Sequence, residues 1–393
     1  MSSCAPMASP LARVVLPLGV AQTISWGSTY YLPAILAAGM AREFDVGTPA
    51  VFAAFSAALL LMAVVGPMSG RLIDLYGRRV LVASNVVFAC GLATLAAAPS
   101  FAWLVVGWLL LGAGMAGGLY EAAFSTLAGI YGGEARRPIT GITLIAGFAS
   151  TVCWPLSAWM DASLGWRTTC LVWAAVHLML ALPLNLLVPQ AKGDPPRPVQ
   201  GGETDFSKKR VPMMAALAFV FAATWFCSTA MAAHLPRLLQ DAGASLALAI
   251  TCAALVGPAQ VAARVLEFWL MRHAHPVISA RIAALAHPVG AASLGMFGVP
   301  AAPLFTFAHG AGNGVMTIAN GTLPLRYFGP GGYGMRQGLL MAPARLLQAG
   351  APFAFDLLLS RYGVGALALT AALGLCSFSV LMLLPGPGAA SRT

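Results

Sequence analysis

Gly70-Arg71-Leu72-Ile73-Asp74-Leu75-Tyr76-Gly77-Arg78-Arg79 is a charged hinge set between two long apolar runs. Residues 49–67 before it and 80–98 after it contain no Asp, Glu, Lys or Arg. Charged side chains this closely spaced cannot lie unpaired in hydrocarbon, where each costs several kcal/mol. They mark a membrane surface, and the two runs are the spans that arrive at it and leave it. Gly70 and Gly77 suit a close helix contact and a tight reversal.

Working outward, composition agrees. Of 393 residues 59% are hydrophobic and 9% charged, and the mean hydropathy is +0.81. Soluble domains carry about 25% charged residues, so most of this surface does not face water. At about 20 residues per span the length accommodates twelve helices. The net charge of +10 raises nucleic acid as a partner, but the basic residues are scattered over many loops rather than gathered on one face, which excludes it.

Their distribution fits membrane orientation instead. With both termini inside, Arg42, Arg167, Arg237 and Arg361 fall on the outer side and Arg264 and Arg345 within spans. Every other Lys and Arg falls on a cytoplasmic segment, as the positive-inside rule requires. The expected location is a bacterial inner (cytoplasmic) membrane, with the lipid bilayer as solvent and a monomer as the working unit. The seven cysteines form no CxxC pair and read as small core residues. No cleavable signal peptide is expected.

The spacing predicts spans at 11–38, 49–67, 80–98, 101–130, 139–160, 166–187, 211–235, 244–271, 276–297, 303–325, 335–359 and 364–384. Thr48-Pro49 supplies a helix start, and Gly107, Gly112, Gly114, Gly117 and Gly118 let the fourth span pack closely. The Pro- and Gly-rich segment 189–211 reads as a cytoplasmic linker. It divides the chain into six-helix units at 1–188 and 212–393. The units repeat one another. Gly66-Pro67 through Gly70-Arg71 to Asp74 is echoed by Gly257-Pro258 through Ala263-Arg264 to Glu267. Tyr131-Gly132, Gly141 and Pro155 match Phe328-Gly329, Gly338 and Pro352 at the same spacing. Such duplication places a solute site between the halves at mid-membrane.

The pattern G-x-x-x-D-x-x-G-R-R at 70–79 resembles the signature loop between helices 2 and 3 of the major facilitator superfamily. Gly165-Trp166-Arg167 resembles a second recurrent feature of that family. The resemblance implies an all-α membrane protein with twelve transmembrane helices in two pseudo-symmetric bundles. It also implies secondary transport by alternating access, with Gly70, Asp74, Gly77, Arg78 and Arg79 as gating residues. In the family the acidic residue, here Asp74, latches the inner ends of the halves. A carboxylate near a helix N-terminus is stabilised by roughly 0.3–1 kcal/mol. Arg78 and Arg79 are expected to face acidic headgroups or Glu134.

Ionisable groups inside spans are functional candidates, because they are expensive there. Arg345 lies near the midplane of its span, stays charged and forks onto carboxylates. It is read either as the binder of an organic anion or as the partner of Glu121. Glu121 in turn is read as a proton carrier or as that arginine's permanent partner. Gly257-x-x-Gln260-x-x-x-Arg264 resembles the G-x-x-D-x-x-x-R of monocarboxylate transporters, with the acid replaced by Gln260. That makes Arg264 a second substrate candidate, with Glu267 at i+3 as its local partner. Gln22, Trp26, Tyr30, Asn313 and Gln348 are expected to shape the cavity.

His177, His234, His287 and His309 read as packing residues. Cys227, Met231 and His234 share one helix face with soft or borderline ligand chemistry. They loosely resemble the site of superfamily copper importers.

The leading expectation is therefore proton-coupled transport of a small organic anion. Export of an amphipathic or cationic compound is the alternative, and copper import the third. The arginine and the glycine–proline pattern usual in proton-coupled drug antiporters are replaced here by Trp108 and by the 149–158 stretch, which weakens drug export. No cofactor and no enzymatic motif is indicated.

Overall fold

The computed structural model describes residues 11–190, 210–271 and 274–386. The predicted linker at 189–211 lies outside the described residues except at its ends. Among the described residues every regular element is helical. Sequence predicts why: apolar runs in lipid must satisfy their backbone N–H and C=O groups within the segment.

The first span is not one helix. It comprises α1 (Leu11–Ser25), a π-turn (Trp26–Tyr30) and α2 (Pro33–Glu43). The hinge joins α3 (Thr48–Tyr76) to α4 (Arg78–Ala96), with Gly77 at φ 55°. The expected fourth span breaks into α5 (Phe101–Gly118) and α6 (Tyr120–Tyr131), because Leu119 is extended at φ −92°, ψ −163°. Next come α7 (Arg136–Ala146) and α8 (Ala149–Val176), the latter interrupted at Gly165, φ 80°. A second π-turn (His177–Ala181) leads to α9 (Leu182–Leu187).

The second half opens with α10 (Arg210–Asp241). The predicted 244–271 span divides into α11 (Leu246–Ala254) and α12 (Val256–Leu270). Then follow α13 (Pro276–Phe297), α14 (Ala302–Phe328), α15 (Tyr333–Tyr362) and α16 (Leu367–Leu383).

Among the described residues seven stretches are long and apolar enough to cross a bilayer, rather than the twelve separate spans expected. One of them, Phe101–Leu187, runs for 87 residues. Drawn straight at about 1.5 Å per residue it would far exceed the roughly 30 Å hydrocarbon layer. It turns back at Gly132, with φ 55°, and at Gly165. The outer surface is apolar, with Phe353 80% and Leu383 85% exposed. That is the expected pattern when the solvent is lipid.

Buried apolar residues separate by half. One cluster runs from Val14 to Val188 and reaches only Leu325 and Tyr333 beyond it. The others lie between Leu217 and Leu384. The halves meet along α3 and α15, where small residues allow the backbones to touch. A Cβ at Gly338 would lie 2.6 Å from the Gly66 carbonyl oxygen, and one at Gly70 would strike the Gly334 backbone.

Candidate functional site

Glu121 reaches the middle of the molecule because of the break at Leu119. The break places Glu121 in the first turn of α6, where a helix N-terminus favours a carboxylate. It also frees the Gly118 carbonyl, which accepts a 2.8 Å bond from Gln22 Nε2. Arg345, on α15, is 2% exposed. Its Nη2 donates to Glu121 Oε1 in an ion pair that joins the two halves. Its Nη1 donates to Gln348 Oε1 at 2.7 Å. Gln348 Nε2 donates in turn to the Tyr30 hydroxyl. Of the two roles open to Arg345 in the sequence, pairing with Glu121 is the one observed.

Aromatic rings close the site. The Arg345 Cζ lies 4.5 Å from the centre of the Trp225 ring, a cation–π contact. Trp225 is parallel to Trp26 at 6.4 Å between centroids, one ring from each half. Trp26 also packs on Tyr30 and Tyr120 at 5.1 and 4.9 Å. Sequence reasoning missed Trp225, since an aromatic within an apolar span carries no signal until the opposite half is in place.

Hydrogen-bonding capacity is left over here. Arg345 Nε, Glu121 Oε2, Trp26 Nε1 and Gln22 Oε1 are buried with no hydrogen-bond partner among the described residues. Two are donors and two are acceptors. Beside Glu121 and Arg345, a void bounded by Gly66, Gly70, Ser125 and Gly338 offers about 20 Å³ to water centres, room for about one water molecule. None of Gln22, Trp26, Tyr30, Gln348 and Asn313, expected to shape the cavity, lines this void; the first four pack or bond beside the Arg345–Glu121 pair, and Asn313 lies elsewhere. It lines a second, smaller one of about 10 Å³ with Trp225, Thr317 and Asn320.

Arg264 corrects its expectation. Glu267 is not its partner. Arg264 donates to the Thr143 carbonyl at 2.9 Å, the Gly314 carbonyl at 3.2 Å and Thr317 Oγ1 at 3.4 Å. It thereby bridges α12 and α14 to α7, held by neutral acceptors. Glu267 instead pairs with Arg136 at 2.7 Å and accepts from Ser279 at 3.2 Å. On a helix i and i+3 are neighbours, but the acceptors Arg264 reaches lie on α14 of its own half and, at Thr143, on α7 of the other half.

Asp74 receives N–H bonds from Gly334 at 2.7 Å and Met335 at 2.9 Å, at the start of α15. Glu267 and Arg136 make the counterpart, since Arg136 begins α7 and also donates to the Met271 and Ala274 carbonyls. Under the internal repeat, Asp74 corresponds to Glu267 and the start of α15 to the start of α7. Corresponding acids therefore bridge the halves at the end that carries the hinge, Asp74 through the α15 backbone amides and Glu267 through the Arg136 side chain. Arg78 donates to the Leu186 and Val188 carbonyls. Arg79 is exposed. Opposite, at the turn after α2, Arg167 binds Glu43 at 2.7 Å and holds its carboxyl below the usual carboxylate range, with Trp166 Nε1 adding a 2.6 Å bond.

The metal candidates Cys227 and His234 bond different partners. Cys227 Sγ faces the Thr370 carbonyl at 3.7 Å on α16. His234 Nε2 bonds the Pro352 carbonyl at 2.8 Å on α15. Met231 is buried in the apolar cluster between them. Among the described residues no group of three or more His, Cys, Asp or Glu converges.

The description of the Major Facilitator Superfamily matches residues 18–342. An uncharacterized 38 kDa protein in a 23S RNA operon of Thermoproteus tenax is 33% identical over 161 residues, 40% of this chain and 42% of that protein. The match therefore spans less than half of that relative's length. Solved structures resemble nearly the whole chain. The human organic anion transporter MFSD10 (TETRAN) has a TM-score of 0.70 at 17% identity, covering 95% of this chain and all of that one. FucP, a transporter in an outward conformation, gives 0.74 at 13%, covering 94% and 97%. The proton:xylose symporter XylE gives 0.73 at 14%, covering 96% and 97%. At such identities the likeness is one of fold. Helical halves bridged at one end by Asp74 and Glu267 and joined by the buried Arg345–Glu121 ion pair agree with the match over residues 18–342: this chain is an integral membrane secondary transporter, not an enzyme, and belongs to the Major Facilitator Superfamily.

Proposed function

We propose that the protein is a proton-coupled porter of a small organic anion, working across a bacterial cytoplasmic membrane with both termini inside. In this reading twelve crossings form two units, 1–188 and 212–393, that rock about the linker 189–211. The unpartnered Nε of Arg345 beside the Glu121 pair carries the reading.

The argument is one of charge. Arg345 and Glu121 sum to zero, so an anion added to the buried site leaves one negative charge uncompensated, which is costly in a low dielectric. Protonating Glu121 removes that charge and releases Nη2. A substrate carboxylate then takes the vacated Nη2 together with Nε, in the bidentate geometry that guanidinium favours. One proton accompanies one anion. The pair is asymmetric, because Glu121 can be neutralised and Arg345 cannot. A cationic substrate would have to leave Arg345 charged, buried and without its acid, so the cation alternative is the poorer fit. The aromatic walls from Trp26 and Trp225 suit a compact solute with an apolar face. Alternation follows from the latches: with Asp74 and Glu267 engaged, the hinge end is shut, and their release opens the opposite side of the cycle.

Uptake of radiolabelled small mono- and dicarboxylates into proteoliposomes under an imposed pH gradient tests this. Gradient-driven uptake that is lost in Arg345→Ala and not restored in Arg345→Lys is the expected result. Uptake of organic cations but of no carboxylate, with Arg345→Ala active, overturns it.

A further inference from the structure

Outside the central site one buried chain of polar groups stands apart. His177 is fully buried. Its Nδ1 lies 2.9 Å from Asn85 Oδ1 and its Nε2 lies 2.7 Å from Ser28 Oγ. Asn85 Nδ2 donates to the Leu81 carbonyl at 2.7 Å, and Ser28 Oγ lies 2.7 Å from the Ile24 carbonyl. The first of these fixes the Asn85 amide: its oxygen faces the ring, so His177 Nδ1 must carry a hydrogen.

Counting protons along the chain gives an unusual result. With Nδ1 protonated, a neutral ring offers only a lone pair at Nε2. Ser28 then has one hydroxyl hydrogen for two acceptors, Nε2 and the Ile24 carbonyl, both at hydrogen-bond distance. A second proton on the ring removes the shortfall. Nε2–H donates to Ser28 Oγ, Ser28 donates to Ile24, and every contact from Leu81 to Ile24 holds one hydrogen. Burying an imidazolium is costly; here that cost is offset in part because both its N–H groups have acceptors, Asn85 Oδ1 and Ser28 Oγ.

The position of this chain gives it reach. Ser28 sits in the Trp26–Tyr30 π-turn, and His177 opens the His177–Ala181 π-turn. In the first turn the Tyr31 N–H reaches back to the Trp26 carbonyl, and in the second the Leu182 N–H reaches the His177 carbonyl. Such local widenings of a helix recur at functional sites. These two are joined directly through Ser28 and His177. The first of them also carries Trp26 and Tyr30, two walls of the central site. The elements packed on the His177 turn are α1, α4, α8 and α9. Their charged groups are Arg13, Arg78, Arg79, Asp161 and Arg167, and their thiols Cys90, Cys153 and Cys170; the adjoining π-turn adds Tyr30. None of these bonds the ring, whose other neighbour is the Phe88 ring at 4.9 Å.

We propose that His177 is a second proton-binding site, in which a proton taken at Nε2 completes the Leu81–Asn85–His177–Ser28–Ile24 chain and holds the π-turn bearing Trp26 and Tyr30 in the conformation seen here. Loss of that proton leaves the Ser28 hydroxyl to choose between His177 and Ile24, which loosens the turn and the cavity wall with it. This does not depend on the central site carrying an organic anion, and its test uses no solute.

The full chain in lipid nanodiscs, carrying isotope-labelled histidine, is titrated by NMR from about pH 8 to about pH 4.5. Its six histidines are separated by comparison with His177→Gln. The expected result is an imidazolium signal, missing in His177→Gln, that grows as pH falls. A fluorotryptophan resonance assigned by Trp26→Phe should shift with the same midpoint and lose that shift in His177→Gln. Asn85→Asp, which puts a carboxylate on Nδ1, should move the midpoint up by at least about one pH unit and identifies the signal even if His177→Gln does not fold. A His177 ring that stays in one neutral tautomer throughout overturns the proposal. So does a ring that titrates while Trp26 stays still.

Discussion

Removing the Asp74 carboxylate should open the hinge end of the bundle by a measurable factor. Asp74→Ala deletes two charge-assisted bonds, to the Gly334 and Met335 amides at 2.7 and 2.9 Å. A hydrogen bond to a charged group contributes about 1.5–3 kcal/mol. Because Asp74 is only partly buried, the lower figure is appropriate, and two such bonds give about 3 kcal/mol. At about 1.4 kcal/mol per tenfold, the closed arrangement should lose roughly two orders of magnitude against the open one. The freed amides report this directly, since protection against exchange follows the free energy of local opening. Hydrogen–deuterium exchange of the peptide covering 330–338 should therefore accelerate by about 100-fold in Asp74→Ala. Asp74→Asn, which keeps one neutral acceptor, should fall between, at roughly tenfold. Exchange in Asp74→Ala within about twofold of the wild type, in protein of unchanged helicity, would show that the latch does not hold the halves together.

Other perturbations have equally definite outcomes. Gly338→Ala pushes a methyl into the Gly66–Pro67 backbone, with contacts of 2.6–2.8 Å; overpacking of this kind costs about 1–3 kcal/mol and should lower the unfolding temperature. Gly350→Ala, on the same helix with open space around it, should not, and equal effects at both positions would refute the close-contact argument. Arg345→Ala strands Glu121 and should cost about 3–5 kcal/mol, of which Arg345→Ala/Glu121→Ala recovers a part by thermal unfolding; a double variant no more stable than the single one would contradict the pairing. For Glu43 the carboxyl is held below its usual range by Arg167, so its contribution is complete above the unfolded value of about 4.3 and fades as pH falls through the lower folded value. The stability gap between wild type and Arg167→Ala should accordingly be constant at neutral pH and narrow only in acid, and a gap that widened there would refute the assignment.

Glu121 and Arg345 were each legible as costly charges in apolar runs, but their contact was only one of the alternatives they posed. They lie more than two hundred positions apart, and no local rule selects between a neighbour in sequence and one across the molecule. Arg264 illustrates the same limit. Spacing along one helix pointed to Glu267, whereas the packing of α7 against α12 and α14 gave each residue a different partner. Trp225 escaped, and His177 read only as a packing residue, because their partners Trp26, Asn85 and Ser28 lie on other elements and no spacing along one span links them. The helix breaks at Leu119 and at the two π-turns were also hidden. They preserve most backbone hydrogen bonds and leave the hydropathy pattern intact.

By itself the sequence determined that the chain lies in a membrane, that its two halves repeat, and that Asp74 sits at a helix junction. Each of these follows from the price of exposing charge or backbone polar groups to lipid, which is paid residue by residue and is therefore written locally. Tertiary structure alone decided which acid meets which base, that both Asp74 and Glu267 bridge the halves, and that the residues around the central ion pair come from both halves. Those are contests among partners brought together only when the halves close, and their outcome depends on distances that no single span contains.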